Sequence, residues 1–475
     1  MITNKSVELF QKAARELPGY KQFLAKHTFD PKSITSPEHF SKVPTTSKKS
    51  YLQAYELKDL VWPADLNSTL LFCSTSGSTG TPYYFPRSEV LGEQYSTIIA
   101  DFLKNSSYGS GKTLFLNAFG MGVWIGGILT HQAFEIAGKD LNTPLAILPT
   151  GYNKAEIFKA LHRLSPNFDQ TIIAGYPPFI KELVDEAKGE GIELGKLQVR
   201  FLFAAEAFTE NFRDYVCKKA KVGNPLLDTL NIYGTADAGA MACETPLSIV
   251  VRRLALKDPL LFKDLFGQIE KTPTLAQYNP EHIEFEASSG EILLSANTAM
   301  PLIRYAVGDH GGVLEYAHIK QIMHRYNIDL ELQLKELGIQ RYANLKQPFI
   351  YVYERSDLSV TLHGIIIYPE FIKECLLANN MAKNLTERFT MATKNDVHHN
   401  QFLQVNLEMQ KGVRPTTKLE QAALAAIKAS LIKKSSEFAE VTRSRLTNGL
   451  VQVVLWPNGH PRYFTPDTKQ KWVER

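Results

Sequence analysis

The feature that most constrains the fold is an alternation of short apolar strands and longer helices between residues 113 and 233. Thr113–Ala118 and Phe201–Ala204 have the length and composition of buried strands. Ile125–Ala137 and Pro178–Glu190 have helical periodicity and lie between such strands. Because a strand, a helix of ten or more residues and another strand form a right-handed crossover, this alternation predicts a largely parallel sheet.

The pattern changes towards the C-terminus. His282–Glu286 and Glu291–Ala296 suit antiparallel strands around a turn, and Leu403–Met409 has the two-residue period of a half-buried strand. We therefore expect an α/β protein whose large N-terminal domain (residues 1–355) has mostly parallel sheets with flanking helices and a β-subdomain. We expect a small mobile α+β domain over residues 356–475.

Composition excludes several classes of protein. Of the 475 residues, 44% are hydrophobic and 21% are charged, which rules out a largely disordered or collagen-like chain. Lys and Arg number 53 and Asp and Glu 49, and this balance gives no sign of a nucleic-acid binder. The N-terminal segment lacks the apolar core of a signal peptide, no apolar run is long enough to span a membrane, and the cysteines show no C-x-x-C pair. We expect a cytoplasmic protein without disulfides.

A loop rich in serine, threonine and glycine, Ser74–Pro82, follows the apolar segment Thr69–Cys73. Small residues let backbone N–H groups and hydroxyls converge on phosphate oxygens, although a flexible surface turn has the same composition. A second segment, Gly109–Thr113, ends like a Walker loop but has Ser106 in place of the first glycine. It follows a helix and precedes a strand, so we interpret it as a solvated turn and disfavour a P-loop kinase that uses Lys112.

Four segments in order resemble motifs of the adenylate-forming ligase superfamily, which includes acyl-CoA synthetases, luciferases and adenylation domains. Ser76–Pro82 is similar to S-G-T-T-G-x-P, and Asn231–Asp237 to Y-G-x-[TS]-E. Pro301–Asp309 resembles P-x-x-R-Y-x-T-G-D, and Glu354–Asp357 resembles the G-R-x-D segment at which the small domain begins. The C-terminus offers Lys469, or Lys471, at the place of the family's catalytic lysine.

The resemblance implies a role for each matching residue. It implies that ATP and Mg²⁺ are bound, that Asp237 holds the metal ion, and that Lys469, Asp237 and Thr79 act in catalysis. The phosphates would be held by Ser76, Gly77, Ser78, Thr79 and Gly80. The adenine side would be formed by Ala205, Glu206, Ala207, Asn231, Tyr233, Gly234 and Thr235. Asp309 and Arg355 would bind the ribose, and Asp357 would be the hinge.

Four residues depart from the family pattern. Asp237 replaces a glutamate, Ala236 replaces a hydroxyl residue, and Thr468 replaces the glycine before the lysine. Glu354 also replaces a glycine. A nucleotide-binding scaffold with weakened catalysis is therefore an alternative hypothesis.

Further segments are similar to the phenylacetate–CoA ligase branch: Val43–Lys48, Ala118–Gly127, Gly175–Phe179 and Phe203–Glu210. The match is interrupted near residues 245–277 and 316–347, which we interpret as insertions. By this resemblance an aryl or medium-sized apolar acid would be bound by Phe119, Trp124, Gly126, Tyr176 and Pro177, although Phe119 and Trp124 suit a core equally well. Some members of this branch bind zinc, but Cys243 has no nearby His or second Cys, so we predict no zinc site.

The implied reaction is ATP-dependent activation of a carboxylic acid. It forms an acyl-adenylate and pyrophosphate, and the acyl group is then transferred, by resemblance to coenzyme A. Transfer to an amine or to a carrier-protein thiol is the alternative. The expected partners are thus a small carboxylic acid and an acyl acceptor, with no nucleic acid and no membrane span, and a homodimer is possible in this branch.

Overall fold

The computed structural model describes residues 2–68, 70–74, 83–87, 89–122, 125–267, 272–355, 359–378, 381–443, 449–464 and 473–474. Its helices are α1 Asn4–Glu16, α2 Pro18–Lys26, α3 Leu57–Leu60, α4 Glu89–Lys104, α5 Ile125–Asp140, α6 Lys154–Arg163, α7 Pro177–Ala187, α8 Glu210–Ala220, α9 Pro246–Ala255, α10 Pro259–Phe266, α11 Tyr316–Arg325, α12 Leu330–Glu336, α13 Pro369–Ala378, α14 Thr417–Lys434 and α15 Ser436–Arg443. Of the helices in these ranges, none has the length and the apolar composition needed to cross a bilayer.

The strands are β1 Thr46–Ser47, β2 Leu71–Ser74, β3 Tyr84–Arg87, β4 Thr113–Asn117, β5 Leu145–Pro149, β6 Gln170–Gly175, β7 Val199–Ala204, β8 Thr229–Thr235, β9 Gly239–Cys243, β10 Thr274–Gln277, β11 Ile283–Ser288, β12 Glu291–Ala296, β13 Leu302–Leu314, β14 Phe349–Arg355, β15 Val360–Leu362, β16 Ile365–Ile367, β17 Leu385–Asn395, β18 Gln401–Met409 and β19 Val451–Trp456. Short 3₁₀ or π turns link some of these elements.

One large sheet organises the molecule. Its strand order is β11-β12-β13-β14-β10-β9-β8-β7-β6-β4-β5, and β1 pairs with β13. Strands β5, β4, β6, β7 and β8 are all parallel, and side chains on β4, β6 and β7 are almost entirely buried, as expected for a sheet covered by helices on both faces. The predicted α/β fold with a mostly parallel sheet is confirmed.

Antiparallel strands extend the sheet beyond β8. Strand β9 pairs antiparallel with β8, and β10, β14 and β13 follow in antiparallel register. Strand β13 is 13 residues long and joins the β11–β12 hairpin to the rest of the sheet. The predicted β-subdomain is therefore continuous with the parallel sheet, because one long strand belongs to both.

The two predicted insertions form one helical layer. Residues 245–277 contain α9, α10 and β10, and residues 316–347 contain α11 and α12. Leu247 and Phe262 share an apolar cluster with Ile319 and Leu334. These segments pack against each other, although they lie far apart along the chain.

The C-terminal part contains a three-stranded sheet, β17-β18-β19, and a separate β15–β16 hairpin. Strands β17 and β18 are antiparallel, and β18 and β19 are parallel. Leu362 and Ile365 of the hairpin belong to the same apolar cluster as Tyr152, which precedes α6, and Ile180 of α7. Lys181 of α7 also donates to Asn400. The C-terminal part thus packs on α7, and the domain boundary at residue 355 stays a prediction.

Candidate active site

The carboxyl ends of β6, β7 and β8 bring three of the predicted segments to one edge of the sheet. Residues 175 to 177 follow β6, residues 205 to 207 follow β7, and Thr235 ends β8. Ligands of open parallel sheets bind outside these carboxyl ends, because the loops that follow the strands meet there. The candidate site therefore lies at this edge.

Two motifs are joined by side-chain hydrogen bonds. The Tyr233 hydroxyl, on β8, donates to Asp309 Oδ2 at 2.6 Å, and the Tyr305 hydroxyl, on β13, donates to Asp237 Oδ2 at 2.5 Å. Asp309 is 6% exposed and lies opposite Arg355 in the β13–β14 register. The predicted ribose and metal residues are thus brought together, although 72 positions separate Asp237 from Asp309 in the sequence.

Arg304 of the third motif holds the N-terminal segment in place. Its guanidinium forms an ion pair with Glu286 at 3.0 Å and donates to the carbonyls of Ser41 and Val43 at 2.6 and 2.5 Å. Strand β1 pairs in parallel with β13, with Thr46 opposite Tyr305. The 43–48 segment and the third motif therefore support one another.

Arg87, on β3, is a site residue that sequence reasoning missed. Its guanidinium donates to the Ala236 carbonyl and, at 3.1 Å, to the Asp237 carbonyl. It is 4% exposed, and burial lowers the pKa of the guanidinium although Asp237 opposes this effect. Its Nε is buried and has no hydrogen-bond partner among the described residues. Nothing local in the sequence links Arg87 to a turn 149 positions away.

Glu206 contacts the C-terminal part of the chain. It follows Ala205, whose φ of +73° is left-handed backbone. Its carboxylate accepts hydrogen bonds from the Gly364 N–H and, at 2.6 Å, from Gln401 Nε2. Burial raises the pKa of Glu206 to about 7, although both hydrogen bonds oppose the rise. The residue was predicted at the adenine, and the structure places its side chain on the β15–β16 hairpin.

Aromatic side chains pack next to this contact. The Phe119 and Tyr176 rings are edge to face with centroids 5.3 Å apart, and the Tyr152 ring lies 5.8 Å from Tyr176. Phe119 is 1% exposed and belongs to the core below the sheet edge, whereas Tyr176 is half-buried. A Cβ on Gly126 would lie 3.5 Å from Phe119, and Pro177 is buried at the first turn of α7. Of these predicted acid-pocket residues, Tyr176 and Gly126 are partly exposed, as a pocket wall requires.

Backbone geometry explains why residue 234, one of the predicted site residues, is a glycine. A Cβ on Gly234 would lie 2.6 Å from the Gly239 carbonyl oxygen, closer than side-chain atoms approach. The β8–β9 turn can therefore close only over a residue without a side chain. Thr235 supports the same turn, because its Oγ1 accepts from the Ala238 N–H at 3.2 Å. Asn231 lies on β8 and is buried below the carboxyl edge of the sheet. Ala205 and Ala207 follow β7 at that edge and are exposed.

Several predicted residues lie outside the described part of the chain. They are Ser76, Gly77, Ser78, Thr79, Gly80, Trp124, Asp357, Lys469 and Lys471. The segments on either side of the phosphate loop are described, and Ser74 pairs with Tyr84 in the β2–β3 hairpin. The structure describes the backbone position of Arg355.

The Walker-like segment lies away from the candidate site. Residues 109 to 112 connect the end of α4 to the start of β4, at the amino edge of the sheet. The Lys112 N–H donates to Asp169 Oδ2 at 2.7 Å. The segment therefore lies between a helix and a strand, as the sequence pattern predicts, whereas a Walker loop lies between a strand and a helix.

A cavity of about 260 Å³ also lies away from the site. It is bounded by α4, by the amino-edge residues Thr229 and Cys243, and by Thr245 and Tyr342 of the two insertions. Strand β9 starts near Thr235 at the candidate site and ends at this cavity. The cavity is therefore at the opposite edge of the sheet from Asp237.

Comparison with solved structures finds matches that include 2-hydroxyisobutyryl-CoA ligase. The complex of that protein with 2-HIB-AMP and CoA in the thioesterification state matches with a TM-score of 0.62 at 15% identity, over 99% of this chain and 88% of that one. This chain has the fold of the adenylate-forming ligases. Structures of the same ligase in a postadenylation state and in an open conformation match with TM-scores of 0.54 and 0.53, each at 15% identity over 99% of this chain and 88% and 89% of those chains. Neither the family models nor the curated proteins give a match.

The fold that the resemblance implied is confirmed. The phenylacetate–CoA ligase branch is not confirmed and stays a prediction. The same holds for the residue roles, because a shared fold at 15% identity does not assign them.

The donor set at Asp237 fits a magnesium ion that is shared with phosphates. Mg²⁺ is commonly held by one or two carboxylates together with substrate phosphate oxygens, rather than by a cage of protein ligands. Asp237 is half-buried and one of its carboxylate oxygens accepts from Tyr305. No group of three or more His, Cys, Asp or Glu side chains among the described residues is arranged to hold a metal ion. Asp237 would therefore supply one carboxylate ligand to a Mg²⁺ ion whose other ligands include phosphate oxygens of ATP.

Proposed function

We propose that this protein is an ATP-dependent ligase that activates a carboxylic acid and transfers its acyl group to the thiol of coenzyme A. The observation that carries the proposal is the pair of hydrogen bonds Tyr233–Asp309 and Tyr305–Asp237, which joins a nucleotide motif to a metal motif at the carboxyl edge of the sheet. A carboxylate is a poor acyl donor because its oxygen leaves badly at neutral pH. Attack by the acid on the α-phosphate of ATP gives an acyl-adenylate and releases pyrophosphate.

The proposed nucleotide site follows from this geometry. Asp309 would accept from the ribose hydroxyls, since one carboxylate can accept two hydrogen bonds, and Arg355 lies opposite it in register. The adenine would lie along the backbone of residues 205–207 and against Tyr233. Ser76, Ser78 and Thr79 would hold the phosphates, and Lys469 would stabilise the charge that develops in the first step.

The proposed substrate is an aryl or medium-sized apolar acid. Support comes from the rings of Phe119, Tyr176 and Tyr152, which form one aromatic cluster next to the carboxyl edge. Because Phe119 is fully buried, we place the acid against Tyr176 and Gly126, with Phe119 as the support behind them.

Two arrangements of the C-terminal domain are part of the proposal. The β15–β16 hairpin is docked on Glu206 and Tyr176. The TM-score to the thioesterification state of the ligase compared above, 0.62, exceeds the scores of 0.53 and 0.54 to its open and postadenylation states. We assign the present arrangement to acyl transfer. Adenylation would use a second arrangement, reached by rotation about Asp357, in which Lys469 enters the site.

The test is ATP–pyrophosphate exchange across a panel of aryl and medium-chain acids, followed by acyl-CoA formation. We expect exchange with some acid, and a loss of at least about 100-fold in Asp309→Asn, since the ribose would then be held by a weaker acceptor. Lys112→Ala is the matched control and should keep exchange. ATP binding without exchange for any acid would contradict the ligase and favour the scaffold. Exchange without transfer to coenzyme A would contradict the thiol acceptor alone.

A further inference from the structure

Arg87 joins the hairpin that carries the phosphate loop to the turn that carries Asp237. It lies on β3, opposite Leu71 of β2, and Ser74 and Tyr84 form the last pair of this hairpin before the loop. Its guanidinium reaches the β8–β9 turn and donates to the carbonyls of residues 236 and 237. One side chain therefore connects the segment proposed for the phosphates with the segment proposed for the metal ion.

The surroundings of this guanidinium restrict how it can move. Arg87 is 4% exposed, and its guanidinium carbon lies 5.5 Å from the centre of the Phe85 ring on the same strand. Each of its two terminal nitrogens donates to one of the two carbonyls. Rotation of either peptide would leave a donor of the buried cation without an acceptor, which is unfavourable. Arg87 therefore fixes the conformation of the turn.

The direction of the two carbonyls determines the direction of the amides beside them. Both peptide bonds are trans, so the C=O and the N–H of each point to opposite sides. The N–H groups of Asp237 and Ala238 therefore point away from Arg87. The Ala238 N–H donates to Thr235 Oγ1 at 3.2 Å. Among the residues that the structure describes, none accepts a hydrogen bond from the Asp237 N–H.

This unpaired amide lies on the side of the turn opposite to the buried guanidinium. Asp237 is half-buried, and its carboxylate accepts from Tyr305. Ala236, the residue before it, is partly exposed and has a methyl side chain that cannot donate a hydrogen bond. The backbone N–H of Asp237 is therefore a donor that the turn can offer to an anion at the carboxyl edge of the sheet.

We propose that Arg87 is a positioning residue for the proposed nucleotide site. By holding the carbonyls of residues 236 and 237, it keeps the Asp237 N–H directed at a phosphate oxygen of ATP, to which this amide donates. The proposal rests on the proposed function, because it assigns a phosphate contact within that site. A backbone amide suits this role, since N–H groups held by the surrounding structure bind phosphate oxygens without having to reorganise.

The test is equilibrium binding of ATP and of adenosine in the presence of EDTA, so that neither a metal ion nor turnover contributes. Both ligands have the base and the ribose, and ATP alone has phosphates. In Arg87→Met we expect the dissociation constant of ATP to rise at least about tenfold, because the amide is no longer held towards a charged acceptor. The dissociation constant of adenosine should stay within about twofold. Exposed Arg341→Met, at the opposite edge of the sheet, is the matched control for the loss of an arginine charge and should bind ATP as the parent does.

Hydrogen exchange of the turn, measured without any ligand, separates positioning from charge. In Arg87→Met the peptide that spans residues 234 to 241 should exchange at least about tenfold faster than in the parent, while β6 and β7 stay protected and show that the variant is folded. Arg87→Lys keeps the charge but replaces the guanidinium fork by a single nitrogen. We expect its ATP affinity to follow the exchange rate of its turn. Full ATP affinity in Arg87→Lys together with a fast-exchanging turn would show that only the charge matters, and would overturn the proposal.

Two further results would also overturn it. One is unchanged ATP affinity or unchanged exchange in Arg87→Met. The other is an equal loss of adenosine binding, because the damage would then extend beyond the phosphate contact. A parent protein that binds neither ATP nor adenosine would contradict the proposed nucleotide site, and this role of Arg87 with it. Binding by the parent that Arg87→Met retains in full is a failure of this proposal alone.

Discussion

Tyr305 fixes the carboxylate on which the proposed magnesium site depends. Its hydroxyl donates to Asp237 Oδ2 at 2.5 Å, and its ring is buried. Groups that orient a metal-binding carboxylate typically change metal affinity by about 10- to 100-fold when they are removed. In Tyr305→Phe we therefore expect the Mg²⁺ concentration for half-maximal pyrophosphate exchange to rise at least about tenfold. A magnesium titration of the exchange rate measures this.

Tyr95→Phe is the matched control for the loss of a buried hydroxyl. The Tyr95 hydroxyl lies 2.9 Å from Thr130 Oγ1, in the core of the large sheet and away from Asp237. Both variants should lose about 1 kcal/mol of stability. An equal magnesium dependence in the two variants would contradict the role of Tyr305.

At the scale of elements, the β15–β16 hairpin can be tested by filling the space at its tip. A Cβ on Gly364 would lie 2.7 Å from the Tyr176 ring, so Gly364→Ala should prevent docking of the hairpin. We expect acyl transfer to coenzyme A to fall at least about tenfold while pyrophosphate exchange stays within about twofold. The two half-reactions, measured on the same preparation, give the comparison.

Gly412→Ala separates backbone strain from the steric clash. Gly412 has a φ of +84°, close to the +78° of Gly364. Among the described residues, no atom beyond its two chain neighbours lies within 4 Å of its Cβ position. It should therefore carry the same conformational cost without blocking any contact. A loss of acyl transfer in Gly412→Ala equal to that in Gly364→Ala would refute the docking argument.

For the molecule as a whole, the sequence predicted what depends on local pattern. The parallel strands β4 and β7 are buried apolar runs, and both were predicted within two residues of their observed bounds. Tyr233, Asp237 and Asp309 could be proposed as site residues because their motifs are contiguous in sequence, and their roles stay predictions. Arg87 was missed because the turn whose carbonyl groups it contacts is 149 positions away in the sequence. Hydrophobic periodicity predicts only which residues of one helix or strand share a face.

Contacts between segments that are distant in the sequence also explain the other features that the sequence did not predict. The segments near residues 245–277 and 316–347 were predicted only as insertions, and each contains two helices that pack against those of the other segment. The contact of the Glu206 side chain with Gln401, 195 positions away, was not predicted either, and the adenine role of Glu206 stays a prediction. Both cases depend on contacts between distant segments, which no short pattern encodes.

The stability of the whole molecule should depend on pH through a buried ion network. Glu210 forms ion pairs with Arg213 at 3.1 Å and with Arg252, and Glu244 pairs with the same two arginines. Burial alone would raise the pKa of Glu210, but the arginines lower it to about 2. The network ties α8 and the end of β9 to α9, the first helix of the insertion layer.

Because the pKa of Glu210 is lowered on folding, its contribution to stability is present above about pH 4.5 and is lost as the pH falls towards 2. In Glu210→Gln the arginines keep a buried charge without its partner. We therefore expect the free energy of unfolding at pH 7 to fall by about 3 kcal/mol. Urea unfolding at pH 7 and pH 3.5 measures both effects, and Glu210→Gln should lose less stability on acidification than the parent protein. Exposed Glu336→Gln is the control, and equal unfolding free energies for Glu210→Gln and the parent at pH 7 would show that the network does not stabilise the fold.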